Sequence, residues 1–146
     1  MWMKREFLLL AVIHAFAIFP AWAHHAYSAE YDENKPIRLE GTIALMEWVN
    51  PHAVIHVDVR NSDGSISRWA IQSNSPNTLL RRGITKKSVE PGMKVVIEGY
   101  QARNGSTSAV GAVMTFGDGR AIFLGSRIEW PWPPKARNGV PNPDNQ

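Results

Sequence analysis

The sequence has no cysteine. That absence excludes disulfide bridges, thiolate zinc sites, iron–sulfur clusters, a cysteine nucleophile and lipidation of a cysteine at a processing site. Charge of one sign is scarce as well: 16 basic residues stand against 13 acidic ones, for a formal net charge of +3, and basic residues never run beyond adjacent pairs. Nucleic acid is therefore not an expected partner, because the phosphate-neutralising term that dominates such binding has no basic groove to come from. The carboxylates show no spacing that pairs them for acid–base work, and no nucleophile elbow, Walker loop or H-E-x-x-H motif is present, so no enzyme is indicated. What is present is ordinary: 146 residues, 44% hydrophobic and 20% charged, fit one globular domain.

The first segment reads as an address. Lys4 and Arg5 precede an apolar stretch from Phe7 to Phe19, interrupted by His14 and stopped by Pro20, and Ala21-Trp22-Ala23 supplies an A-x-A processing site. The apolar core falls short of the roughly 20 residues that cross a bilayer. Residues 1–23 are therefore expected to be a cleaved secretory signal, leaving a periplasmic or secreted chain that begins at His24 and has no membrane span. Losing Lys4, Arg5 and Glu6 brings that chain close to neutral. At the other end, residues 126–146 run through Trp130-Pro131-Trp132-Pro133-Pro134 to Pro141-Asn142-Pro143, too rich in proline to continue a sheet or helix. They are expected to form a flexible tail, whose tryptophans offer as the lesser role a contact to the domain itself or to an envelope protein.

The middle reads as short strands. Ile37, Leu39, Ile43 and Leu45 share odd positions, which is the period of a half-buried strand. From His52 to Arg60, Ala53, Ile55, Val57 and Val59 alternate with His52, Val54, His56, Asp58 and Arg60, and Asn61-Ser62-Asp63-Gly64 then turns into a third strand at Ile66–Ser73. Ser75-Pro76 has the form of an N-cap followed by proline at the first helical position, and Gly83 closes the short helix that results. Thr85 to Glu90 adds at most a turn. A fourth strand runs from Met93 to Tyr100, a fifth from Ser108 to Phe116 and a short sixth from Arg120 to Leu124, each bounded by turn residues. Five or six antiparallel strands with one helix after the third predict a mainly β domain over residues 24–125, a small OB-like β-barrel, with an open β-sandwich as the alternative.

Several of these segments resemble a known family. His24-His25-Ala26-Tyr27-Ser28-Ala29-Glu30-Tyr31-Asp32, Glu40-Gly41-Thr42, Glu47-Trp48-Val49-Asn50-Pro51-His52, Ser75-Pro76-Asn77-Thr78-Leu79-Leu80-Arg81-Arg82-Gly83 and Pro91-Gly92 are similar to successive motifs of small exported bacterial proteins of the domain of unknown function 6152 family. The resemblance runs from His24 to about Gly125. It implies export and a compact β-rich domain, and it brings no activity or catalytic residue with it.

Histidine is the chemical lead. His24, His25, His52 and His56 all fall early in the processed chain. Cleavage after Ala23 would free an α-amine beside the imidazole of His24, and amine plus Nδ1 form a chelate suited to a copper ion, Cu(II), or a similar divalent ion. His25 or a distant imidazole could complete the plane. His52 and His56 lie on one strand, where four residues span roughly 13 Å, so they cannot clamp one ion between them. His52 is the better partner, since Asn50-Pro51 turns the chain and aims it at a strand end, and it meets the N-terminus if the chain before Ile37 folds back over the second strand. Trp48 is read first as core packing with stacking on a ligand as the lesser role, and Arg81 as a complement to the helix dipole with anion capture as the lesser role. The candidate metal ligands are thus His24, His25 and His52, and the other candidate binding residues are Trp48, Asn50 and Arg81. The rival role is a structural or interaction protein of the envelope, with incidental histidines and a partner on the Trp-Pro tail.

Overall fold

The computed structural model describes residues 29–125. The expected signal, His24, His25 and the tail at 126–146 lie outside them. Six strands and one helix follow each other as β1 (Tyr31–Glu47), β2 (Val54–Arg60), β3 (Ile66–Gln72), α1 (Pro76–Arg81), β4 (Lys94–Ala102), β5 (Ser108–Phe116) and β6 (Ala121–Phe123). The antiparallel ladder runs β3-β2-β1-β4-β5-β6. It closes on itself because β3 also meets β5, with Ala70, Ile71 and Gln72 opposite Ser108, Ala109 and Val110. That last contact is parallel, whereas the sequence pattern implied antiparallel neighbours throughout. The ring β1-β2-β3-β5-β4-β1 has the connectivity of an OB-like barrel and is not an open sandwich.

Closure buries the larger of two apolar clusters. Ile43, Ala53, Ile55, Val57, Ile71, Ile97, Ala109 and Met114 meet there, and Leu79, Ile84 and Val89 from α1 and the chain after it join the same cluster. The helix forms where the caps direct it: the Ser75 side chain accepts from the Thr78 backbone N–H, Pro76 occupies the first turn, and Gly83 at φ 76° turns the chain away. Thr85 to Ser88 closes one turn through the Ser88 N–H on the Thr85 carbonyl. In the β2–β3 hairpin Gly64 adopts φ 87°, which a residue with a Cβ enters only under strain.

Two departures from the alternating pattern matter for function. Ile43 pairs with Val57 but Leu45 with His56, so β1 carries one more residue than β2 at this point. The bulge inverts every later side chain of β1. Met46 packs on the core and Leu45, expected inside, is 39% exposed. The second departure is the start of β1, which precedes the expected Ile37 and pairs along β4 as far as Tyr31 opposite Ala102. Residues 32–35 bulge out between the Tyr31–Ala102 and Pro36–Tyr100 pairs, and the chain returns to β4 at Tyr31 instead of folding back over β2. The reason is burial: Tyr31 covers a second apolar cluster with Tyr100, Ala102 and Val110, and is only 2% exposed there.

Candidate functional site

Alternation along β2 sends Ala53, Ile55 and Val57 into the core and leaves His52, Val54, His56, Asp58 and Arg60 facing outward. The cross-strand registers extend this outer face into rows. Glu47, Val54 and Gln72 form one, Leu45, His56 and Ala70 the next, and Thr42, Asp58 and Arg68 a third. Two of the rows carry charge. Imidazole Nε2 of His56 lies 2.6 Å from Oε1 of Glu47, a residue placed outward by the bulge. Asp58 takes a two-pronged contact from Arg68, Nε at 2.7 Å and Nη2 at 2.9 Å. Those hydrogen bonds from Arg68 hold the Asp58 carboxyl below the usual carboxylate range and raise the guanidinium in return.

The β1–β2 loop closes one end of this face. Asn50–Pro51 is a cis peptide, with Asn50 and Pro51 exposed and His52 half-buried behind them. Trp48 is half-buried and packs on the core. Ala53 fixes the loop to the end of β3. Its N–H donates to the Asn74 carbonyl, and its carbonyl accepts from the N–H and the hydroxyl of Ser73. Arg81 stands apart, exposed in the last turn of α1, where Nη2 donates to Thr78 Oγ1 at 3.3 Å. Trp48, Asn50 and His52 therefore share a loop, while Arg81 sits on the helix.

The same end of β3 ties down the beginning of the domain. The Tyr31 hydroxyl donates to Oε1 of Gln72 at 2.6 Å, and Gln72 is the residue opposite Val54 at the start of β2. Burial raises the Tyr31 phenol to about 12, against a lowering contribution from Ser108 and with smaller raising ones from Glu30. Glu47 and Tyr31 fall within segments that resemble the family, but neither they nor Gln72 were named as site residues, since their partners lie 9 and 41 residues away. Among the described residues no group of three or more His, Asp or Glu side chains could hold a metal ion. A metal held by His52 would need ligands from elsewhere in the chain. No helix among the described residues is long and apolar enough to cross a membrane.

A family model described as a family of unknown function, DUF6152, matches residues 12–112. The chain belongs to the DUF6152 family. The match begins earlier and ends sooner than the resemblance from His24 to Gly125, and it covers β1 to β4, α1 and the first half of β5. Of the segments that resemble the family, Trp48 to His52 lies in the loop and Ser75 to Gly83 on the helix just described. No curated protein and no solved structure matches the chain.

Proposed function

We propose that this DUF6152 protein is an exported, non-catalytic binding module that takes up Cu(II), or a similar divalent ion, through His24, His25 and His52. The observation that carries the reading is the Tyr31–Gln72 hydrogen bond. It anchors the start of β1 to the register at which β3 faces Val54, two residues from His52. His25 lies six positions before Tyr31, with Ala29 and Glu30 helical, and a chain of that length spans at most about 20 Å. The paired histidines are thus within chain reach of the β1–β2 loop without folding over β2. Signal removal after Ala23 frees the His24 amine, which with Nδ1 forms a chelate ring, and imidazoles of His25 and His52 supply the further nitrogens that a tetragonal Cu(II) site favours. Protons compete for all of these nitrogens, so uptake falls as pH is lowered.

The test is a Cu(II) titration of three chains followed by competition with a chelator: one beginning at His24, the same chain with the His24 α-amine acetylated, and one carrying His52→Ala. Both changes are expected to weaken binding. Unaltered affinity with the acetylated amine removes the amine from the site, and unaltered affinity in His52→Ala removes the barrel from it.

A further inference from the structure

The Trp-Pro segment has no part in the copper reading, yet the structure fixes where it leaves the domain. Gly125 is held by its carbonyl, which accepts from Asn74 Nδ2 at 2.6 Å and from Arg82 Nη1 at 3.1 Å. Asn74 also accepts, through its own carbonyl, the N–H of Ala53 at 3.1 Å. One residue therefore joins the exit of the chain to the β1–β2 loop. At that loop and the adjoining strand end lie Val49, 48% exposed, and Leu45, 39% exposed, the latter turned outward by the bulge in β1. Pro51 is exposed in the same loop and Val54 half-buried, with the Glu47–His56 pair on the same outer face. The other large exposed apolar residues stand apart from it: Ile66 pairs with Arg60 at the far end of the hairpin, and Leu80 lies on α1.

We propose that residues 130–134, Trp130-Pro131-Trp132-Pro133-Pro134, dock on this apolar end of the β1–β2 hairpin of their own chain. Trp130 is five residues and Trp132 seven residues beyond Gly125, which sets an upper reach of about 18 Å and about 25 Å respectively. The span required is short, because Ala53 is bonded to Asn74 and Leu45 lies two positions along β1 from Glu47, the residue opposite Val54. A proline-rich segment enters such a contact with little conformational freedom left to lose, and an indole brings a large apolar surface on few rotatable bonds. The occupant is the chain's own segment because the exit is pinned within that reach, which gives it a high effective concentration over any separate partner.

Methyl NMR of the chain from His24 to Gln146, compared with its Trp130→Ser/Trp132→Ser form, tests this. In the unaltered chain the Leu45 and Val49 methyls are expected upfield under indole ring currents, independent of protein concentration, and to move downfield in the variant. Trypsin cleavage after Lys135 and Arg137 is expected to be slower in the unaltered chain than in Leu45→Ser/Val49→Ser. Unmoved methyls with equal cleavage rates overturn the proposal. A response at Leu80 in place of Leu45 overturns the location, and a concentration-dependent response assigns the face to a second copy instead. Methyls that move only after a foreign protein is added assign the segment to that partner. None of these outcomes depends on copper, so the metal reading stands or falls separately.

Discussion

Tyr31 and Gln72 are linked side chain to side chain at 2.6 Å across 41 positions of sequence, with the tyrosine hydroxyl as donor. The bond crosses the parallel seam of the ring, where Gln72 stands opposite Val110 and Val110 packs under the Tyr31 ring. It is where the opening of β1, the end of β3 and the loop before β2 meet.

Tyr31→Phe keeps the ring and removes that bond, and is expected to cost about 1 kcal/mol in urea unfolding, with the Gln72 carbonyl left to find another donor. The substitution also has a pH signature. The phenol titrates near 10 in the unfolded chain and near 12 in the fold. Its contribution is therefore complete below pH 10 and lost as pH rises through 12, because only the unfolded chain releases the proton in between. Tyr100 is raised too, by burial first, so the alkaline decline is expected to be shallower in Tyr31→Phe and not abolished.

Two glycines of the β4–β5 pair separate backbone from side-chain crowding. A Cβ on Gly99 would lie 2.0 Å from the Val110 carbonyl oxygen, while one on Gly111 would meet Leu124 Cδ1 at 2.7 Å and Ile71 Cγ2 at 2.8 Å. Side chains can shift where a paired backbone cannot. Gly111→Ala is expected to destabilise by about 1–3 kcal/mol, and Gly99→Ala by more, measured as unfolding midpoints in the same denaturant.

On the outer face, Asp58 is expected to titrate below an ordinary aspartate when followed by carboxyl carbon NMR, and to return toward the ordinary value in Arg68→Ala. A midpoint that does not move would mean that the two-pronged contact is not maintained in solution.

Local chemistry made much of the fold readable in advance. β5 is bounded as the Asn104-Gly105 and Asp118-Gly119 turns require, β2 keeps the face its alternation assigns, and α1 starts and stops at Ser75-Pro76 and Gly83. The bulge in β1 was hidden because Ile43 and Leu45 both look like interior residues, and only the pairing with β2 decides which one enters the core. The polar run Asp32-Glu33-Asn34-Lys35 gave no alternation, and it bulges away from β4 between the Tyr31–Ala102 and Pro36–Tyr100 pairs. The candidate site divides in the same way. Trp48, Asn50 and His52 share a loop because they are neighbours in sequence, whereas Glu47 against His56 and Tyr31 against Gln72 depend on cross-strand placement that no motif encodes.

The central claim is that export leaves His24 as a free amino terminus that binds a divalent ion together with the β1–β2 loop. The most direct measurement is the intact mass of the exported protein, taken with the copper content of the same sample before and after His52→Ala. The expected result is a chain beginning at His24 with an unmodified amine, one equivalent of Cu(II) bound, and most of that copper lost in His52→Ala. A chain that begins at another residue, carries a blocked amine, or retains its copper without His52 would contradict the claim.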